Sequence, residues 1–279
     1  MKKIGFVDYY ISEWHANNYP EWINEANKAM GEDFVIAYAW AEKDVSPVDG
    51  RTTDEWCKAF GVEKCATIEE LCEKSDYILV LAPSDPDTHL RLAEKVLKYG
   101  KNTYIDKTFA PDYATAKKIF DLGEKYGTKF FSTSALRYAD ELKAHDGAKW
   151  VSVYGGGGNM EEYIIHQAEM VVKIMGTGAK RVRVDDKFNT DRIRVEYGDG
   201  RFAEMFFAQG LGFSVTSGKE SGECVHTDVV SSFFNNLIAD ILKFYVTGEQ
   251  PFDGKETLEV MKIREAVIKA KLSGEWAEI

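Results

Sequence analysis

The chain has 279 residues, a formal net charge of −11, 44% hydrophobic and 29% charged residues. This balance suits a globular protein and excludes a broad basic face for nucleic acid. No apolar run is long enough to cross a bilayer, so neither a membrane span nor a membrane partner is expected. Asp8 and Glu13 break the apolar stretch that follows Lys2 and Lys3, so no secretory leader is expected either. Cys57, Cys65, Cys72 and Cys224 lack the paired spacing of a zinc site, and a chain this long needs no disulfides. Free thiols, a cytoplasmic location and no metal are expected.

The length accommodates two domains, each with its own core. The opening "MKKIGFVDYYISEWH" reads as a short apolar strand, Ile4–Val7, then a turn and a helix. In dinucleotide-binding folds that turn carries G-x-G-x-x-G, because glycines let backbone N–H groups approach a pyrophosphate. Here it reads "DYYIS", with Tyr9, Tyr10 and Ile11 where the phosphate would approach. The tyrosines either fill that space or point away and leave the backbone usable.

Further strands are expected at Phe34–Ala39, Tyr77–Leu81, Thr103–Ile105 and Lys129–Phe131. Between them, "PDTHLRLAEKVLKYG" and "PDYATAKKIFDLGEKYG" start near a proline and stop at a glycine, the order of helix punctuation. Such alternation is the signature of a parallel sheet built from β-α-β units. In "NTYIDKTFAPD", Lys107 follows a buried strand and sits at the carboxyl end of the sheet, where open α/β folds bind ligands. A surface lysine, with Asp106 as a turn acid, is the plainer alternative.

After Phe131 the pattern changes. "WVSVYGGGG", "RVRVDD", "DRIRVEYGDGRFAEMFFA" and "GFSVTSG" read as strands joined by short turns, which suits an antiparallel sheet. Helices are expected around Ser232–Thr247 and Lys255–Lys271. In "GGGGNMEEYIIHQAEMVVKIMG", Ile164, Ala168, Val171 and Met175 share one side, and Glu162, His166, Glu169 and Lys173 the other. A carboxylate one turn from an imidazole orients it as a general base requires. An ordinary solvated face of i,i+4 pairs, after a flexible glycine joint, is the alternative.

Taken in order, "SDYILVLAPSDPDTH", "YGKNTYIDKTFA", "GGGNMEEYIIHQAEMVVKIMG", "IRVEYGDGRFAEM" and "GEQPFDGKETLEVMKIREAVIKAKLSGE" resemble the glucose-fructose oxidoreductase, inositol dehydrogenase and rhizopine-catabolism (Gfo/Idh/MocA) family. The resemblance runs over nearly the whole chain. It implies an N-terminal Rossmann-like doubly wound parallel sheet, residues 1–132, for the dinucleotide. An α+β domain with an open, mostly antiparallel sheet, residues 133–279, would serve substrate and oligomerisation. It further implies NAD or NADP, a small hydroxylated substrate, and a homodimer or homotetramer.

By the same resemblance Lys107, Glu162 and His166 are catalytic, His166 as base, Glu162 as its orienting acid and Lys107 as electrostatic partner. Glu169 matches a further acid of the pattern, and Gly156, Gly157, Gly158 and Gly176 match its glycines. Tyr9, Tyr10, Ile11, Pro83, Ser84, His89, Asp106 and Lys107 would border the cofactor. Arg137, Asn159 and His166 would meet the substrate, a surface helix arginine being the alternative for Arg137. The chain departs from the family in three ways. Asp106-Lys107-Thr108 replaces Glu-Lys-Pro, Glu162 replaces an aspartate, and the glycine loop is missing. Near the end of the second strand, Trp40 stands where NAD enzymes carry a ribose acid, with Glu42 or Asp44 as substitutes or plain loop charges. A ligand-binding or regulatory protein that keeps the fold without dinucleotide turnover is the rival expectation. Lyase or hydrolase chemistry in the same pocket is a third.

Overall fold

The computed structural model describes residues 1–279, and the chain divides into two compact units. One is Met1–Thr133 with Phe234–Pro251; the other is Ser134–Phe233 with Phe252–Ile279.

The first unit alternates strand and helix. Its strands are β1 (Lys2–Asp8), β2 (Phe34–Ala41), β3 (Glu63–Lys64), β4 (Tyr77–Val80), β5 (Thr103–Ile105) and β6 (Phe130–Phe131). The connecting helices are α1 (Trp14–Met30), α2 (Thr53–Phe60), α3 (Ile68–Lys74), α4 (Pro86–Val96) and α5 (Tyr113–Tyr126). All six strands are parallel, in the order β3-β2-β1-β4-β5-β6 of a doubly wound Rossmann-like sheet. The central strands have neighbours on both edges and helices on both faces, so β1 and β4 are continuous apolar runs: Ile4, Phe6 and Val7, then Ile78, Leu79 and Val80, are wholly buried. Helix punctuation follows the sequence closely. Asp112 caps α5 through the Thr115 N–H, and Gly127 at φ 64° ends it in the left-handed conformation.

The last part of this unit comes from far along the chain. Helix α7 (Phe233–Thr247) lies in the second domain by the sequence boundary, yet residues 234–251 pack with the first. Its apolar face decides this. Tyr245 stacks on Tyr77 at 4.7 Å and its hydroxyl donates to the Ile78 carbonyl oxygen at 2.7 Å. Phe244 meets the edge of Phe131, and Phe234 stacks on Trp22 at 4.8 Å. The buried Phe244 and Tyr245 each contribute on the order of 2 kcal/mol.

The second unit carries β7 (Trp150–Gly155), α6 (Met160–Met175), β8 (Ala179–Lys187), β9 (Thr190–Tyr197), β10 (Phe202–Ala208), β11 (Ser214–Gly218), β12 (Cys224–Asp228), α8 (Gly254–Ser273) and β13 (Ala277–Glu278). The strand order is β12-β11-β7-β10-β9-β8-β13, antiparallel throughout except for the β7–β10 pair. Alternate residues such as Val151, Val153, Val195 and Met205 are buried towards α6 and α8. The opposite face stays polar and aromatic. There Arg194 pairs with Glu196 and Glu204 and lies 4.2 Å from the Phe202 ring, beside a groove of about 290 Å³.

The glycine run after β7 is a close approach rather than a flexible joint. A Cβ on Gly156 would stand 2.1 Å from the Ala208 carbonyl oxygen and 2.9 Å from the Leu211 nitrogen, both backbone atoms. On Gly157 it would meet the Tyr163 ring at 2.1 Å.

Candidate functional site

At the carboxyl edge of the first sheet, β1 ends in Asp8, which is 1% exposed. Its Oδ1 accepts from the Tyr9 and Ala82 N–H groups, and its Oδ2 is buried without a partner. Burial, then the Glu13 charge, and behind them Asp106, push the Asp8 carboxyl well above its usual range, although those two N–H bonds oppose the shift.

Five residues on, Glu13 is the N-cap of α1, and its carboxylate accepts from the His15 N–H at 2.8 Å and the Ala16 N–H. A helix N-terminus offers unpaired N–H groups and a favourable dipole to an anion. Here the chain supplies that anion itself. The His15 imidazole lies between two acids, Nδ1 3.3 Å from Glu13 and Nε2 3.7 Å from Asp106 Oδ2, and the Tyr19 hydroxyl is buried nearby. Burial, with Asp106 and Glu13 behind it, raises the Tyr19 phenol well above its usual value. The donors at this helix end thus suit an anion in kind, since they already hold a carboxylate.

The expected cofactor-side residues spread over this edge. Tyr9 and Tyr10 are half-buried with rings 5.8 Å apart, Arg91 stacks over Tyr9, and Ile11 is buried. Glu42 forms a two-pronged pair with Arg91 at 2.8 and 3.0 Å, which lowers its pKa, and Asp44 is held down by Lys64 at 2.8 Å. Both acids are therefore committed to ion pairs. His89 is wholly buried between the carbonyl oxygens of Leu81 and Phe109; burial lowers its pKa and the two oxygens pull partly the other way. It braces the two loops from within. Asp106 Oδ1 accepts from the Lys107 N–H and the Tyr104 hydroxyl, while its Oδ2 has no hydrogen-bond partner. Lys107 is half-buried and its Nζ donates to the Pro83 carbonyl oxygen at 3.3 Å, which ties the strand-end lysine to the loop of Pro83 and Ser84.

In the second unit, Asn159 caps α6 by accepting from the Glu162 N–H at 2.8 Å, and its amide lies 3.3 Å from the Glu162 carboxylate. His166 is half-buried between the rings of Tyr163 and Phe213, and its Nδ1 lies 2.7 Å from Ser134 Oγ. Ser134 in turn accepts from the Leu136 N–H and donates its own N–H to Glu169. Glu169, expected on the polar face of the helix, is 2% exposed because Arg137 meets it at 3.0 Å. Arg137 is not a surface charge. It is 5% exposed, pairs with Glu169 and Glu256, and lies 3.8 Å from the Phe252 ring.

The residue reading missed Glu13, His15 and Ser134. Glu13 had a signal, an acid directly before a helix; Ser134 had only its place before a short turn.

Residues 26–134 match the family described as "Oxidoreductase family, NAD-binding Rossmann fold" (Gfo/Idh/MocA). An uncharacterized oxidoreductase of Schizosaccharomyces pombe is 31% identical over 98 residues, 35% of this chain and 25% of that protein. The uncharacterized oxidoreductase YhhX of Escherichia coli is 33% identical over 60 residues, 22% of this chain. The matched stretches thus span about a quarter and 17% of these curated relatives. Among solved structures, a probable dehydrogenase from Thermotoga maritima superposes with a TM-score of 0.81 at 14% identity, covering 99% of this chain and 98% of its own. A myo-inositol 2-dehydrogenase from Lactobacillus plantarum gives 0.78 at 15% identity, covering 100% and 99%. At such identities these structures establish the fold.

Proposed function

We propose that this chain, whose residues 26–134 match the NAD-binding Rossmann region of the Gfo/Idh/MocA oxidoreductase family, moves a hydride between a polyol, sugar or sugar-like substrate and NAD or NADP. The observation that carries the reading is the position of Lys107, at the end of β5 in a parallel sheet of order 3-2-1-4-5-6. Open sheets of this order take their ligands at the carboxyl ends of the strands. The inositol dehydrogenase among the similar structures supports the substrate class.

In this reading the turn of Tyr9, Tyr10 and Ile11 and the loop of Pro83 and Ser84 hold the dinucleotide. A nicotinamide ring, when bound, supplies the hydride acceptor. His166 takes the substrate hydroxyl proton at Nε2, since Nδ1 is committed to Ser134. Glu162 and Asn159 line the approach at the α6 N-terminus, and the Lys107 ammonium steadies negative charge as it builds on the substrate oxygen. The open face of the second sheet serves a homodimer or homotetramer.

The test is reduced-nicotinamide absorbance against a panel of polyols, sugars and sugar acids. Lys107→Met should lower turnover by about a hundredfold or more while dinucleotide affinity stays within about twofold. A rate that survives the substitution would retire the assignment. A silent panel, with a small hydroxylated ligand that raises the melting temperature through Lys107, would favour the ligand-binding protein instead.

A further inference from the structure

We infer that Glu13 is a built-in competitor for the phosphate groups of a dinucleotide: its carboxylate holds the anion position at the α1 N-terminus, and a diphosphate gains those donors only by displacing it. The ligand class rests on the function proposed above; the competition rests on the geometry.

Three observations carry it. Glu13 is 5% exposed, and its two oxygens take the His15 and Ala16 N–H groups, the donors that a phosphate at a helix N-terminus uses. Asp8 and Asp106, each 1% exposed, stand beside it, and each has one buried oxygen without a hydrogen-bond partner. Asp106 Oδ2 is turned towards the same cluster, 3.7 Å from His15 Nε2. An added anion therefore meets acidic neighbours and occupied donors. Orphaned acceptors of this kind call for a donor or a proton, not for more negative charge. In a glycine-loop enzyme the same helix end is open; here "DYYISEWH" writes the occupant into the chain.

Calorimetric titration tests this with NAD, inorganic pyrophosphate and nicotinamide riboside, which lacks phosphate, on the full chain and on Glu13→Ala and Glu13→Gln. Gln keeps an acceptor for the cap and removes the charge, so at least one variant retains the helix end. Both folded variants should bind NAD and pyrophosphate at least tenfold more tightly than the parent, with nicotinamide riboside unchanged. Variants with parental circular dichroism that bind NAD and pyrophosphate no more tightly than the parent would overturn the inference. A gain for pyrophosphate and NAD without nicotinamide-linked turnover on any substrate would leave Glu13 as the competitor and count against the oxidoreductase reading alone.

Discussion

Replacing Arg137 by Met should unfold the second unit far more readily than the loss of a surface charge would. The guanidinium is 5% exposed and Glu169 2% exposed, so removing the cation strands a carboxylate away from water. Burial opposes the Arg137 charge, but Glu169 and then Glu256 outweigh it and raise its pKa, so the guanidinium stays charged in the fold. Breaking a buried pair by deleting one partner costs about 3–5 kcal/mol. The Glu256 side chain, 26% exposed, rehydrates and adds little. The lost contact with the Phe252 ring, 3.8 Å away, falls within that range, because contacts of one group are not additive. At about 2–4 °C per kcal/mol for a chain of this size, the melting temperature should fall by roughly 10 °C. The assay is urea and thermal denaturation of Arg137→Met, Glu169→Gln and the double variant. Gln keeps an acceptor for the Ser134 N–H, so the double variant should recover about 2 kcal/mol of the single loss. A loss under about 1 kcal/mol, or no recovery in the double variant, would refute the reasoning. A raised KM with unchanged stability would mark Arg137 as a substrate contact.

Asp8→Asn should flatten the pH dependence of stability. The raised Asp8 pKa means that the folded state keeps a proton that the unfolded chain releases near pH ~4. Through that window stability falls as pH rises. Asn keeps the Oδ1 acceptor and cannot ionise, so the variant should gain on the parent in melting temperature as the pH rises above about 4; parallel curves would show that Asp8 ionises freely. Gly156→Ala should cost about 1–3 kcal/mol or more, because its Cβ meets backbone atoms that cannot rotate away. Gly158→Ala, whose Cβ would meet only Tyr163 at 3.6 Å, should be close to neutral. Equal denaturation midpoints for the two alanine variants would show that the glycine run is a flexible joint after all.

What sequence could specify here was local. Apolar runs with glycine and proline between them marked Thr103–Ile105 as a strand, and "PDYATAKKIFDLGEKYG" as a helix with both its ends. The change to alternating strands after Phe131 marked the second sheet. Lys107 was placed at a strand end because position along a strand is a property of the chain itself.

Other features were invisible for one physical reason: they depend on which distant residue fills the space beside a group. The returning helix α7 looks like any amphipathic helix until Tyr245 finds Tyr77 and the Ile78 carbonyl oxygen. His89 was read as a loop histidine at a site border, and two carbonyl oxygens make it a brace. Arg137 is expected at the substrate or on a helix surface, and Glu169, 32 residues on, on the polar face of its helix; the fold buries both as an ion pair. Ser134 becomes the partner of His166 across the same separation. Charge, shape and periodicity are written residue by residue, whereas desolvation and pairing belong to the packed fold, and those two decide what each polar group does.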